Sequence, residues 1–284
     1  MKKVIVTGCG GFIGSHLCDY LIEQGYEVVG IDNFLTGSPE NINPKVKFYE
    51  ADITDLDLQE IFEIENPEWV FHEAANSRTF LSVENPLLDH SINITGTLNV
   101  LLASKNTRVK RFIFASSCIL NSPNTPYYVS KLAGEEYCKV FNKLYNLPTV
   151  CLRYSNVYGS LRQSEKGSWI NVLANFHKCK RETGRIWISG DGEQTRDWTH
   201  VTDIARANLL AAKSDVTGVF DICTGVETSM NEVAKYFNCP IDYVPELKGD
   251  VKHLSKAQNY RLAEETFGYK YSISFNLESI KPYL

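Results

Sequence analysis

The stretch KKVIVTGCGGFIGSHLCDYLIEQGYEVVGIDN, residues 2–33, decides the fold of this chain. Residues 4–6 form a short apolar run that is typical of a buried parallel strand. A turn with the spacing G-x-x-G-x-x-G comes next, formed by Gly8, Gly11 and Gly14. Apolar residues then recur at the period of a helix, and a second apolar run ends at Asp32. This order predicts a strand, a helix and a second strand that open a parallel sheet.

Each part of this unit has a role in binding a dinucleotide. The glycines let backbone N–H groups approach a pyrophosphate, and the helix contributes the partial positive charge of its N-terminus. A carboxylate at the end of the second strand accepts hydrogen bonds from a ribose diol and repels a 2′-phosphate. Asp32 therefore favours NAD over NADP.

Three more apolar segments are spaced as strands of an α/β protein. They are KFYEADI ending near Asp52, WVFHEAA ending at Ala75, and RFIFASS ending at Ser117. Segments with helical periodicity, such as NITGTLNVLLASK, separate them. We therefore predict an α/β fold, in which a Rossmann-type doubly wound parallel sheet is joined to a smaller mixed α/β substrate-binding domain.

Composition and charge narrow the class of protein. The formal net charge of −5 over 284 residues argues against nucleic acid or an anionic membrane as the main partner. No apolar run approaches the length of a signal-peptide core or a membrane-spanning helix. The eight cysteines show neither C-x-x-C pairs nor histidine partners at metal-ligand spacing. We predict a cytoplasmic protein with reduced thiols and no metal.

A second stretch, ASSCILNSPNTPYYVSK at residues 115–131, combines hydroxyl, phenol and ammonium groups. Tyr127 and Lys131 are one helical turn apart, and Ser117 ends the strand before them. Because Lys131 and the cationic nicotinamide ring of NAD both favour the phenolate, Tyr127 is a candidate base toward a substrate hydroxyl. The alternative is an ordinary strand, turn and amphipathic helix. Tyr128 lacks the four-residue spacing from Lys131, and we expect it to pack instead.

Nine motifs follow one another along nearly the whole chain: VTGCGGFIGSHL, GIDNFLTG, ADITD, VFHEAA, SVENPLLDHSINITGTLNVL, PYYVSKLAGE, LRYSNVYG, GDGEQTRDWTHVTDIARA and FDICTG. They resemble the extended short-chain dehydrogenase/reductase family, in particular its NAD-dependent nucleotide-sugar epimerases and dehydratases. The resemblance implies that Ser117, Tyr127 and Lys131 are catalytic. It implies an NAD site formed by Gly8, Gly11, Phe12, Ile13, Asp32, Asn33, Asp52, Ile53, Ala74, Ala75, Asn93, Tyr127, Lys131 and Tyr154. It implies substrate contacts from Ser77, Arg78, Asn156 and Arg196.

The two residues after Ser117 help to distinguish between the reactions that the family catalyses. In the resembling dehydratases an Asp-Glu pair stands there, whereas this chain has Cys118 and Ile119, which argues against elimination of water. The Ser-Ser-Cys string also resembles GDP-fucose synthases, but those use NADP. We therefore predict epimerisation of a nucleotide sugar at carbon 4, with a UDP-hexose or UDP-N-acetylhexosamine as substrate. The alternatives are a nucleotide-keto-sugar reductase and, from another class, a non-catalytic dinucleotide sensor.

Two departures from the family pattern concern the sugar pocket. The LNSPNT link leaves only ten residues from Ser117 to Tyr127, and Leu247 stands where relatives have an arginine, with Lys248 one position later. Residues 254–256, which size the pocket in relatives, align too ambiguously to identify the sugar. A basic rim that suits a nucleoside diphosphate is expected from Arg162, Lys178 and Arg185, beside Trp169.

The resemblance also implies a domain organisation and a partner. The NAD-binding domain is expected at residues 1–153, with a return of the chain at about 195–224. The nucleotide-sugar-binding domain is expected at residues 154–194 and 225–284. Family members are commonly dimers through two helices of the first domain, and SKLAGEEYCKVFNKLY and PLLDHSINITGTLNVLLA are the candidates for a homodimer interface.

Overall fold

The computed structural model describes residues 1–121, 125–163, 171–246 and 260–284. The strands are β1 (Lys3–Thr7), β2 (Glu27–Asp32), β3 (Lys47–Glu50), β4 (Trp69–His72), β5 (Arg111–Ser117), β6 (Thr149–Tyr154), β7 (Asn156–Tyr158), β8 (Ile186–Ser189), β9 (Thr195–His200), β10 (Gly218–Ile222), β11 (Glu227–Ser229) and β12 (Ile241–Val244). The helices are α1 (Phe12–Glu23), α2 (Leu58–Glu65), α3 (Thr79–Glu84), α4 (Pro86–His90), α5 (Thr97–Asn106), α6 (Pro126–Tyr145), α7 (Val172–Thr183), α8 (Val201–Lys213), α9 (Met230–Lys235) and α10 (Leu262–Phe267).

Seven strands of the described residues form one parallel sheet in the order β10-β6-β5-β4-β1-β2-β3. The chain runs outward from β1 through β3 and then crosses back to β4, so that the strand order reverses beside β1. Val4 and Val6 belong to one apolar core and Ile5 to another, because successive strand residues point to opposite faces. A buried core on each face confirms the predicted doubly wound sheet.

Two strands end earlier than the sequence predicts. Strand β3 ends at Glu50 rather than near Asp52, and β4 ends at His72 rather than at Ala75. At β4 the Glu73 amide still donates to the Thr7 carbonyl (3.2 Å), but the Ala74 amide donates to the Thr7 hydroxyl (3.3 Å). A side chain has replaced the backbone acceptor, so the ladder stops and the chain continues as a loop at the carboxyl end of the sheet.

A second, smaller group of strands is built after β6. Strands β11, β9 and β7 form one sheet, and β12 pairs with β8. Residues such as Tyr158, Phe176, Trp198 and Phe237 form a separate apolar core there. The chain returns to the main sheet with α8, which packs against α1, and with the edge strand β10. Strand β9, at the start of the return expected near residue 195, pairs with β7 and β11 instead of the main sheet. The division into two domains stays a prediction.

Several features of the sequence lie outside the described residues. These are residues 122–124 of the LNSPNT link, Trp169, Leu247, Lys248 and residues 254–256.

Candidate active site

A cavity of about 450 Å³ opens at the carboxyl ends of the main-sheet strands. Its other wall comes from the smaller group of strands and from α7. All predicted site residues line it except Asn93 and Lys131: they are Gly8, Gly11, Phe12, Ile13, Asp32, Asn33, Asp52, Ile53, Ala74, Ala75, Ser77, Arg78, Ser117, Tyr127, Tyr154, Asn156 and Arg196. The sequence therefore predicted residues that the fold brings together.

The glycine turn between β1 and α1 allows two backbone segments to come into contact. Gly8 has a φ of +74°, and a Cβ atom added to it would lie 2.7 Å from the Ala74 amide nitrogen. Its own amide donates to the Ile31 carbonyl at 2.7 Å. Because neither the dihedral angle nor the space accommodates a side chain, glycine is required here. The turn leaves the N-terminus of α1 facing the cavity, where it suits a phosphate group.

Two carboxylates line the half of the cavity beside β2. Asp32 ends β2, and its side chain accepts hydrogen bonds from the amides of Gly10 (2.8 Å) and Phe34 (2.7 Å). Asp52 accepts a hydrogen bond from the Asn33 side chain at 2.6 Å. Burial opposes ionisation of Asp52, but hydrogen bonds from Thr54 and Asn33 outweigh it and lower the pKa of Asp52. This half of the site therefore carries fixed negative charge, which suits ribose hydroxyls and disfavours a further phosphate.

The catalytic candidates come together at the end of β5 and the first turn of α6. Thr125 caps α6 by accepting a hydrogen bond from the Tyr128 amide, and Pro126 begins the helix. This start places Tyr127 in the first turn, where its buried side chain lines the cavity together with Ser117. The Tyr127 amide also donates to the Ser82 hydroxyl at 3.1 Å, which ties α3 to the start of α6.

Lys131 lies behind Tyr127 instead of on the cavity surface. Its ammonium donates to the Ala115 carbonyl at 2.8 Å and lies 5.9 Å from the centre of the Tyr127 ring. Burial lowers the pKa of Lys131 to about 8, although three neighbouring carboxylates oppose this: Glu73, Asp89 and Glu135. Burial also raises the pKa of Tyr127 well above its ordinary value. The phenolate therefore needs positive charge close by, and Lys131 is positioned to contribute it.

Asn93, for which the resemblance implies a cofactor contact, is not among the residues that line the cavity, and its role stays a prediction. It is buried, and its side-chain oxygen accepts a hydrogen bond from the Asn76 amide at 2.8 Å. Its amide group donates to the Asn76 carbonyl (3.0 Å) and to Asp89 (2.9 Å). Asn93 thus holds the loop after β4 in place, and it supports the cavity wall instead of forming it.

Glu73 is a cavity residue that the sequence reasoning missed. It follows β4 directly and accepts a hydrogen bond from the Tyr154 hydroxyl at 2.8 Å. Burial raises the pKa of Glu73 to about 7, although Tyr154 and Lys131 oppose the shift. The signal was present in WVFHEAA, where an ionisable residue stands between an apolar strand and two alanines.

The opposite wall carries two of the four predicted substrate residues. Asn156 begins β7 and Arg196 lies on β9, beside aromatic side chains that include Phe176 and Trp187. Ser77 and Arg78 lie on the loop between β4 and α3, and burial lowers the pKa of Arg78. Of the residues expected to form a basic rim, Arg162 binds Asp19 (2.7 Å) and Arg185 binds Asp242 (2.5 Å). These two arginines therefore have carboxylate partners within the protein.

The described part of the chain shows neither a metal cluster nor a membrane-spanning helix. No group of three or more His, Cys, Asp or Glu side chains there is arranged to hold a metal ion. No helix among the described residues is long and apolar enough to span a membrane. All eight cysteines are free thiols, and six of them are buried.

Comparisons with known proteins agree with this geometry. Residues 4–223 match the sequence model of the NAD dependent epimerase/dehydratase family. A putative UDP-glucose 4-epimerase of Methanocaldococcus jannaschii is 42% identical over 81% of this chain and 79% of its own. The crystal structure of UDP-glucose 4-epimerase with UDP-glucose from Thermotoga maritima has a TM-score of 0.91 at 36% identity, covering 99% of this chain and 96% of that one. The Thermus thermophilus UDP-glucose 4-epimerase complex with NAD has a TM-score of 0.88 at 31% identity, covering 98% and 96%.

Proposed function

We propose, from the premise that the chain belongs to the NAD-dependent epimerase/dehydratase family, that it interconverts the C4 epimers of a UDP-sugar, with UDP-glucose as the first candidate. One observation carries this proposal. Ser117 and Tyr127 lie together on the wall of the cavity into which the glycine turn also opens. The groups for proton transfer therefore share one space with the groups for a dinucleotide.

The cofactor of this chain is NAD, and the residues present fit it. The turn at Gly8 brings backbone amides and the N-terminus of α1 to the cavity, as a pyrophosphate requires. Asp32 stands where a ribose diol is recognised and where a 2′-phosphate would meet negative charge. When bound, NAD supplies the acceptor and donor of the hydride. The protein supplies the proton chemistry and the orientation of the sugar.

Tyr127 is the proposed acid and base. As a phenolate it takes the proton of the C4 hydroxyl, and as a phenol it returns that proton after the sugar has turned over. Ser117, on the same cavity wall, holds the hydroxyl in line for the transfer. Because burial raises the pKa of Tyr127, the ammonium of Lys131 is needed to stabilise the phenolate.

The sugar has to present its opposite face between the two transfers. Asn156 and Arg196 are proposed to anchor the nucleoside diphosphate during this rotation, since both line the cavity and can bind phosphate oxygens. The cavity of about 450 Å³ is lined there by the side chains of Phe176 and Trp187. Apolar walls bind a sugar without many directional hydrogen bonds, which favours a ligand that turns within the site.

Elimination of water is disfavoured by the groups beside Ser117. Cys118 is buried, its thiol donates to the Arg153 carbonyl at 3.3 Å, and burial raises the pKa of the thiol. Ile119 is apolar. Neither residue supplies the additional acid and base that dehydration of the keto-sugar requires.

We further propose a homodimer through α5 and α6 in a reducing, cytoplasmic compartment. Apolar side chains remain exposed on these helices, among them Leu102 (39%), Val140 (41%) and Leu144 (63%). Covering such a surface with a second copy removes it from water. The eight free thiols support a reducing environment.

The test is incubation of the purified protein with a panel of UDP- and GDP-sugars, followed by separation of the products. We expect interconversion of UDP-glucose and its C4 epimer without added cofactor. Replacement of Tyr127 by Phe is expected to lower kcat by roughly 10²–10⁴-fold. Tyr128→Phe is the matched control, because the neighbouring hydroxyl is removed without altering the spacing from Lys131.

Three outcomes would contradict the proposal. One is net consumption of added NADH with a keto-sugar, which would indicate a reductase. Another is unchanged interconversion by Tyr127→Phe. The third is the absence of turnover with every sugar by a protein that binds NAD, which would favour a sensor.

A further inference from the structure

Glu73 forms a cluster with Lys131 and Tyr154, and it is a member that proton transfer by Tyr127 leaves without a role. Its carboxylate accepts a hydrogen bond from the Tyr154 hydroxyl (2.8 Å), which accepts one in turn from the Asn208 side chain (2.7 Å). This chain of contacts joins the loop after β4 to β6 and α8. Glu73 also lines the cavity.

Among the described residues, the titratable groups that face Glu73 come from three elements. Lys131 of α6 acts on it electrostatically, Tyr154 of β6 donates to it, and the Cys18 thiol of α1 lies near it. Burial raises the pKa of Cys18 well above its ordinary value, so this group is neutral. Tyr154 is also neutral, because burial raises its pKa. Lys131 is therefore the charge that balances Glu73.

Three carboxylates act on Lys131, and only one of them borders the cavity. Glu135 is bound by Arg153 (2.7 Å) and by Ser116 (2.6 Å). Asp89 accepts hydrogen bonds from Asn93 and Asn76. Of the three, Glu73 alone lines the cavity, so its charge acts on whatever is bound there.

The reacting end of the cofactor has to lie close to this cluster. The hydride leaves carbon 4 of the sugar, and the proton leaves the hydroxyl oxygen on that carbon toward Tyr127. The nicotinamide ring therefore has to approach the substrate beside Tyr127, whose ring centre is 5.9 Å from the Lys131 ammonium. That ring is cationic when oxidised and neutral when reduced, so a nearby carboxylate distinguishes the two states.

We propose that Glu73 is a positioning residue that couples the charge of this cluster to the oxidation state of the cofactor, its carboxylate favouring the oxidised dinucleotide over the reduced one. The proposal rests on the NAD site of the proposed function but not on epimerisation. In a sugar epimerase, this preference would keep the reduced cofactor from accumulating. A purely structural Glu73 would only accept the hydrogen bond from Tyr154, which a glutamine side chain also accepts.

The experiment measures binding, without any sugar. The dissociation constants of NAD and NADH are determined by titration calorimetry between pH 5.5 and 8.5, on protein freed of co-purifying nucleotide. The proteins compared are the wild type, Glu73→Gln and Asp89→Asn. Glutamine preserves the acceptor for Tyr154 and removes the charge, while Asp89→Asn removes a carboxylate that acts on Lys131 but does not line the cavity.

The measured quantity is the ratio of the dissociation constant of NADH to that of NAD. Since ionised Glu73 favours NAD, the wild-type ratio rises as the pH passes through about 7, where Glu73 ionises. Between pH 5.5 and 8.5 we expect this ratio to increase by a factor roughly ten times larger in the wild type than in Glu73→Gln. A factor of ten corresponds to about 1.4 kcal/mol of binding free energy. Asp89→Asn should retain the wild-type rise, and all three ratios should converge near pH 5.5.

Each contrary result overturns the coupling. If the wild-type ratio does not rise with pH, the coupling is overturned by the wild-type protein alone. This result does not depend on any variant, so it holds even if a variant fails to fold. Equal pH dependence in wild type and Glu73→Gln shows a structural role only. If NAD binds as expected but no sugar is epimerised, the proposed function fails while the coupling stands.

Discussion

Two glutamates flank strand β4 and show opposite electrostatics at the two ends of the same sheet. Glu65 ends α2 before the amino end of β4, and its carboxylate accepts hydrogen bonds from Lys3, Lys47 and Tyr49. Burial opposes its ionisation, but these bonds outweigh burial and lower the pKa of Glu65 to about 2. Glu73 follows the carboxyl end, where burial raises its pKa to about 7.

The difference shows what each end of the sheet is organised to do. At the amino end, oppositely charged side chains neutralise the acid, so the charge contributes to folding. At the carboxyl end, Glu73 has a phenol as its hydrogen-bond donor and an ammonium that acts at longer range. Ligands bind at the carboxyl ends of parallel strands, and groups left incompletely neutralised there remain able to respond to them.

The largest effect is expected at the turn that follows β1. Replacement of Gly8 by Ala requires a left-handed backbone and brings Cβ to 2.7 Å from the Ala74 amide nitrogen. We expect the free energy of unfolding to fall by about 3 kcal/mol, from backbone strain and overpacking together. We also expect the affinity for NAD to fall by at least roughly 100-fold, since displacement of the turn misplaces the phosphate-binding amides.

Gly25, at the amino end of β2, is the matched control. Its φ of +83° is close to that of Gly8, but an added Cβ would meet nothing within 4 Å. Backbone strain alone should therefore lower the free energy of unfolding of Gly25→Ala, by about 1 kcal/mol. The affinity of this variant for NAD should be unchanged. Denaturant unfolding and NAD titration of both variants check the comparison. Equal losses of NAD affinity would show that the contact with Ala74 is unimportant.

The charge network at the amino end predicts the next largest effect. Replacement of Glu65 by Gln should lower the free energy of unfolding at pH 7 by roughly 2 kcal/mol, a value reduced by solvent screening of the two lysines. The lowered pKa of Glu65 gives stability above its unfolded pKa of about 4.3, and that stability is lost as the pH falls toward 2. Urea unfolding of the wild type and Glu65→Gln at pH 7 and pH 2.5 measures this contribution. If the difference between the two proteins is the same at both pH values, the prediction is wrong.

Much of the carboxyl end could be predicted from the sequence, because its chemistry is local. The turn at Gly8, the acid at Asp32 and the spacing of Tyr127 and Lys131 are all encoded within short segments. Asn93 and Lys131 were assigned to the site, but contacts with Asn76 and with Ala115 hold them behind the cavity surface. Such positions depend on packing between distant elements, which sequence spacing does not specify.

The roles of the two glutamates depend even more on tertiary contacts. Glu65 meets Lys3 and Lys47, which are 62 and 18 residues away, and Glu73 meets Tyr154, which is 81 residues away. Both residues look like ordinary charges beside an apolar strand when they are read in sequence. The order of strands in the sheet brings two ammonium groups and a phenol to Glu65 but, among the described residues, a phenol alone as hydrogen-bond donor to Glu73.

The two ends of β2 provide a smaller, paired test. Asp32, at its carboxyl end, is proposed to bind the ribose of NAD, whereas Glu27, at its amino end, pairs on the surface with Lys3 at 3.3 Å. Asp32→Asn should weaken NAD binding by roughly tenfold, about 1.4 kcal/mol, and reduce the preference over NADP. Glu27→Gln should change neither, because an exposed ion pair contributes little. Titration with both nucleotides checks this, and an unchanged preference in Asp32→Asn would remove Asp32 from the ribose site.

The smallest effect expected is a gain of stability from removing Glu73. Its raised pKa means that folding disfavours the charged form, so Glu73 costs stability as the pH rises from about 4.3 to about 7. Glu73→Gln should therefore raise the free energy of unfolding of the cofactor-free protein by about 1 kcal/mol at pH 8, with no gain at pH 4. Urea unfolding at the two pH values measures it, and a loss of stability at pH 8 would contradict it. Glu65→Gln and Glu73→Gln would then change the free energy of unfolding in opposite directions. The charge at the cofactor end of the sheet would be destabilising and the charge at the other end stabilising, as expected when a binding site is maintained at some expense of stability.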